Sequence, residues 1–212
     1  MKIIDQEKWI RKNSYKMYKN FDFPFFNLTT NLEVGQVKKF ARKNKIKLIN
    51  AIYFSIVSTV NLIPELRTRI KDEDVVEYDK IDISFVIAAE NNLYDFCVVP
   101  FEKDLNIFLE NLEQRGEAKK NNPKRLSEDK EENDVIWVNC VPWISFTSIQ
   151  HPIILSNKAS IPVISIGKYF KQDEKLLMPF ALQAHHGLVD GYHAGIFFNR
   201  LQEYFDRPEK LF

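Results

Sequence analysis

Residues 183–193 read QAHHGLVDGYH, and the reading of this stretch decides the fold. It holds three of the four histidines in the chain, two of them adjacent, with an aspartate and two glycines close by. Before it runs a β-rich segment, EKLLMPFAL (174–182), and after it an amphipathic one, GYHAGIFFNRLQEYF (191–205). The histidines therefore fall where a last strand hands over to a last helix, a junction at which side chains reach the edge of a sheet and pockets form. Three uses compete for them: a metal site, a general base with bystanders, or an ordinary strand-to-helix junction.

A metal needs converging ligands. His186, Asp190 and His193 are spaced i, i+4, i+7 and would align on a continuous helix, but Gly187 and Gly191 speak against one. The fourth histidine, His151, lies in another segment with no cysteine or carboxylate beside it, so no metal is expected. The structural use suits His193, on the helix, and Asp190 stands directly before that helix at a capping position. For the pair followed by Asp190 a chemical use competes. A neutral histidine is the usual acceptor of a hydroxyl proton near pH 7, and an aspartate paired with a buried arginine can order the loop without touching substrate. Such a constellation suits acyl transfer or hydrolysis.

The rest of the 212 residues sets the frame. The chain is 45% hydrophobic and 28% charged, with 17 Phe and 8 Tyr, which suffices for one well-filled core. A net charge of +1 gives no electrostatic reason to expect nucleic acid or a membrane surface as partner, and the basic run at 38–47 reads as a solvated helix face. Two distant cysteines, Cys97 and Cys140, form neither a disulfide framework nor a zinc pattern, which suits the cytoplasm. No segment has the length and hydropathy of a leader or a membrane span.

Along the chain the patterns predict a first helix over 6–18 capped by Asp5, a strand over 23–34 and a helix over 34–45. A buried helix follows over 48–63, stopped by Pro64. Two β-rich runs flank the turn-prone ENN at 90–92, and a helix over 104–120 precedes a charged surface excursion at 119–134. A strand from 135 bends at Pro142, and 161–170 pairs with 174–186 in a hairpin. The expected class is α/β (α+β), a two-layer sandwich of a mixed β-sheet with helices, in a single domain over 1–212.

The heptad His185-His186-Gly187-Leu188-Val189-Asp190-Gly191 resembles the HHxxxDG signature of the CoA-dependent acyltransferase superfamily. With its flanks it is similar to the Q-x-H-H-x-x-x-D-G-[FY]-H signature of the chloramphenicol acetyltransferase family. Other stretches resemble that family in the same order: WIRKNSYKMY (9–18), VNLIPELRTRI (60–70), VPWISFTSI (141–149) and PVISIGKY (162–169). The resemblance spans about residues 9 to 204.

The resemblance implies a homotrimer with active sites at its subunit interfaces, acetyl-CoA as cosubstrate and no bound cofactor. His186 would be the general base toward a drug hydroxyl, which attacks the thioester with no acyl-enzyme. Asp190 would pair with Arg11 to shape the site. Ser148 would donate to the oxyanion, and Ser165 would anchor a water near the same intermediate. Tyr18, Phe25 and Phe26 fall where the drug pocket is lined, Lys168 and Tyr169 near the CoA nucleotide. This sequence departs from the family at Ala184 and Gly187 around the pair, in FTSIQHP (146–152), and in the more aromatic FPFFNLT (23–29). The alternatives are a relative with another hydroxylated acceptor and a binding protein that keeps the fold without turnover.

Overall fold

Successive side chains of a strand point to opposite faces of the sheet, and the largest sheet of this chain buries one face against helices. A computed structural model describes residues 1–88, 94–121, 134–153 and 160–212. The ENN turn at 90–92 and residues 122–133 of the charged excursion lie outside the described residues; residues 119–121 close a helix instead.

The elements in chain order are β1 (Lys2–Ile3), α1 (Lys12–Tyr18), β2 (Phe25–Glu33), α2 (Gly35–Lys43), α3 (Leu48–Asn61), β3 (Thr68–Lys71), β4 (Asp74–Glu77), β5 (Asp82–Ala88) and β6 (Tyr94–Val99). Then follow α4 (Leu105–Asn121), β7 (Val135–Val141), β8 (Val163–Gly167), β9 (Phe170–Gln172), β10 (Lys175–His185) and α5 (Gly191–Asp206). The main sheet runs β2-β10-β8-β7-β5-β6, with β9 paired to β10. Strand β7 is parallel to both β5 and β8, and the other pairs are antiparallel, so the sheet is mixed.

Its inner face carries Ile83, Phe85, Ile136, Val138, Ile164 and Phe180, all packed in one core with α3 and α5. Helix α3 is the centre of that core: every residue from Ala51 to Val60 is buried. Two of its buried hydroxyls bond back within the helix, Ser55 Oγ donating to the Ala51 carbonyl at 2.9 Å and Thr59 Oγ1 to that of Ser55 at 2.7 Å. At its end Asn61 donates to the Ile81 carbonyl and accepts from the Ile81 amide, fastening helix to sheet. The other face of the sheet holds Ser165, Gln183 and Asn27 toward β2, and exposed Trp137 and Phe96 toward β6.

Two local expectations are corrected, and one segment takes a form for which no expectation stood. The first helix begins at Lys12, not at residue 6. Asp5 caps only a turn, its Oδ1 accepting from the Glu7 amide at 3.1 Å, and the chain then bends so that Arg11 turns inward. The segment after Pro64 forms a 3-10 turn and then a second small sheet, β1-β4-β3, with Asp72 at φ 55° in the β3–β4 turn. Aspartate tolerates that left-handed conformation better than most residues. The strand expected over 161–170 is broken at Lys168 and Tyr169. The tight hairpin joins β9 to β10 across Asp173, itself at φ 51°.

Candidate active site

Strand β10 ends at His185, and its nine-residue register with β2 sets what surrounds the histidine pair. The amide of His186 donates to the Pro24 carbonyl at 2.7 Å, which extends the ladder one step past the last paired residue. The His186 ring is then enclosed by aromatics. It stacks on Tyr18 with centroids 4.2 Å apart and planes 6° from parallel, and meets Phe26 at 4.9 Å. Its Nδ1 is buried and has no hydrogen-bond partner among the described residues, which leaves Nε2 as the nitrogen able to meet a substrate. Phe25, next along β2, points the other way and packs edge-on against His185.

Arg11 fixes the loop from two sides. Its Nη1 donates to Asp190 Oδ2 at 2.7 Å and its Nη2 to the His186 carbonyl at 3.3 Å. Burial works against a charge on Asp190, yet the Arg11 hydrogen bond and the nearby charges of His193 and Arg11 outweigh it, so its carboxyl stays below the usual range. The same carboxylate caps α5, accepting from the amides of Tyr192 and His193. His193 Nδ1 lies 2.8 Å from Asp190 Oδ1 and 3.3 Å from the Asp190 amide. Accepting from that amide closes a capping box at the start of α5, and on the other side of the ring Nε2 lies 3.4 Å from Glu65 Oε1. His193 is thus a structural residue of the helix start, as its position suggested.

His185 is different again. It is 5% exposed, its Nδ1 accepts from the Gly187 amide at 3.1 Å, and burial pushes its pKa down to about 4. A Cβ at Gly187 would lie 2.9 Å from that ring, so glycine is what permits the tight turn here. Because the unfolded chain takes up a proton near pH 6.5 and the native ring does not, stability is full above that pH. It falls as pH drops from 6.5 toward 4, by about 3 kcal/mol in total. Urea unfolding at pH 7.5 and pH 5 should show about 2 kcal/mol of this loss, and His185→Gln should flatten it. An unchanged slope in that variant would assign the acid sensitivity elsewhere.

The stacking gives a second expectation. Tyr18→Phe keeps the ring and should leave activity within about twofold, whereas Tyr18→Ala frees the imidazole and should lower kcat about tenfold. Initial rates of both variants decide it, and equal losses would mean that the phenol hydroxyl, not the ring, matters.

Not every candidate meets in one chain. Arg11, Asp190, His186, Tyr18 and Phe26 converge. Ser165 pairs with Ala181 on β10, four residues before His185, hence roughly 13 Å away along the strand. Lys168 and Tyr169 lie further still, roughly 20 Å along β10; both are exposed, and Lys38 Nζ sits 4.1 Å over the Tyr169 ring. Ser148 is exposed in the segment after β7. Sequence reasoning missed one neighbour of this set: His151, whose Nε2 lies 2.8 Å from Ser165 Oγ. Among the described residues no group of three or more His, Cys, Asp or Glu is placed to hold a metal ion, and no helix is long and apolar enough to cross a membrane.

Among the described residues no serine or cysteine hydrogen-bonds to His186. The comparisons with known proteins place this mixed sheet, with helices packed over one face, among the acyltransferases. A family model described as chloramphenicol acetyltransferase matches residues 1–202, and the chain belongs to that family. It is 30% identical to a chloramphenicol acetyltransferase of Proteus mirabilis over 213 residues, covering 96% of this chain and 94% of the relative. It is 27% identical to chloramphenicol acetyltransferase 3 of Escherichia coli over 201 residues, covering 94% of each. A solved chloramphenicol acetyltransferase structure superposes with a TM-score of 0.83 at 25% identity, covering 96% of this chain and 99% of that one. The dihydrolipoamide acetyltransferase of Azotobacter vinelandii shares the fold, with a TM-score of 0.71 at 14% identity over 94% of this chain and 87% of that one.

Proposed function

We propose that this chain, as a single domain over 1–212, acetylates chloramphenicol from acetyl-CoA and so inactivates the drug. The observation that carries the reading is the His186 ring, stacked on Tyr18 with its carbonyl held by Arg11 and its Nδ1 buried, which leaves Nε2 to act as the base. Nε2 takes the proton of the drug hydroxyl as its oxygen attacks the thioester carbonyl. Ser148 donates to the resulting oxyanion, with a water held by Ser165 beside it. The intermediate collapses by breaking the C–S bond, and the imidazolium returns its proton to the departing CoA thiolate. Acetyl-CoA is a cosubstrate here, and no metal takes part.

The separation of Ser165, Lys168 and Tyr169 from His186 along β10 favours an assembly in which a neighbouring subunit completes each site, which we read as a homotrimer. Exposed Trp137 (41%) and Phe96 (40%) on the sheet face away from the helices suit burial against such a neighbour. Tyr18 and Phe26 would line the drug side, with Phe25 behind them, and Lys168 and Tyr169 would hold the CoA nucleotide. Two unpaired cysteines and a CoA cosubstrate suit the cytoplasm. Thiol release from acetyl-CoA, with and without chloramphenicol, tests the reading. Drug-dependent release supports it, whereas release with other hydroxylated acceptors alone would move the protein to a different substrate.

A further inference from the structure

The imidazole that sequence reasoning passed over is held by a polar clamp of its own. His151 lies in FTSIQHP, where this chain departs from its family's common pattern. Its backbone is clamped by Gln183, whose Oε1 accepts from the His151 amide at 3.0 Å and whose Nε2 donates to its carbonyl at 3.4 Å. Gln183 is 3% exposed and opens the histidine motif itself. The clamp aims the ring at Ser165, itself 2% exposed, with Nε2 2.8 Å from Oγ.

A hydroxyl has one proton, so the direction of this bond decides what Ser165 can do. If Ser165 donates to His151, its proton is spent and the hydroxyl can only accept from a neighbour. If His151 Nε2–H donates to Ser165 Oγ, the serine proton is free to point at a water or at a developing oxyanion, which needs a donor. Burial holds the pKa of His151 below the ordinary histidine value, so the ring is neutral at neutral pH and carries its proton on one nitrogen only.

We propose that His151 is a positioning residue for acetyl transfer: Nε2–H donates to Ser165 Oγ and turns the serine hydroxyl into a donor toward the reacting oxygen. This rests on the reading of the chain as a chloramphenicol acetyltransferase with Ser165 near the intermediate. The buried Ser165 is not itself a nucleophile, and no acetyl group passes to it.

Two measurements test it. The first is nitrogen NMR of the protein with ¹⁵N-labelled histidine, where four histidines give few signals and His151→Gln assigns the one at issue. An Nε2-protonated neutral ring is expected; an Nδ1-protonated or charged ring at neutral pH overturns the proposal. The second is a double-mutant cycle. His151→Leu should lower kcat about tenfold with both KM values within about twofold, and should have no effect in a Ser165→Ala background. His151→Gln, which keeps an N–H donor at similar reach, should restore most of the rate and serves also if the leucine variant does not fold. Equal losses with Ser165 intact and in the Ser165→Ala background, a glutamine variant as impaired as leucine, or an acetylated Ser165 in the mass spectrum would each overturn it. A wild-type protein without chloramphenicol turnover would instead refute the functional reading, and the ring spectrum would then decide the His151–Ser165 bond alone.

Discussion

His186→Ala should lower drug-dependent thiol release by about 10²–10⁴-fold while leaving the fold intact. The ring lies at the surface end of β10, half-buried between Tyr18 and Phe26, and its removal empties a site without opening the core around α3. Its backbone contacts, the amide to the Pro24 carbonyl and the carbonyl to Arg11, are untouched by the change. Circular dichroism and the unfolding midpoint should therefore match wild type within experimental scatter. A variant retaining more than a tenth of the activity would show that another group takes the proton. One that lost its fold as well would show that the aromatic stack holds the N-terminal segment in place.

Asp190→Ala should be the most damaging change to stability in the site, because one carboxylate performs two tasks. It is the partner of Arg11, which is 9% exposed and would keep its charge with no carboxylate opposite, and it caps α5 through the amides of Tyr192 and His193. Loss of a buried pair partner costs about 3–5 kcal/mol, and loss of a cap about 1 kcal/mol. The Asp190 side chain is 34% exposed, so water screens part of the pair, and a total of about 3 kcal/mol is expected in urea unfolding. Asp190→Asn keeps an oxygen for the two amides and loses only the charge, so it should fall between alanine and wild type. If asparagine equals wild type, the cap alone matters; if it equals alanine, the ion pair alone does.

The sequence patterns that proved legible were those read by local periodicity. Helix α3 announces itself as the longest largely apolar segment, broken only by Asn, Ser and Thr, and α5 by an aspartate cap followed by apolar residues at helical spacing. The nine residues of β2 were within two residues of expectation at each end. The small sheet was not legible, because β1, β3 and β4 are two to four residues long and too short to carry a period. The false start of the first helix has a tertiary cause: Arg11 is drawn inward by a residue 179 positions away. Within the site, the structural part played by His193 followed from its place in the first turn of a helix. The His151–Ser165 contact did not, since it depends on which rungs of β8 and β10 face each other and on a glutamine clamp from β10.

The pairing of β2 with β10 also sets a timetable for the newborn chain. Ribosomes add about 5–20 residues per second, so the stretch from Glu33 to His185, about 150 residues, corresponds to about 8–30 s of synthesis. For that interval Phe25–Glu33, at the end of the main sheet, has yet to receive its partner strand and presents open backbone edges rich in Phe, Leu and Thr. Early strand and late strand must then zip together across nine rungs in a single closing event. Slow codons or low temperature before residue 175 would lengthen the window in which nascent chains can stick to one another, and a chaperone that shelters the first 33 residues would do the most to raise the yield of active protein.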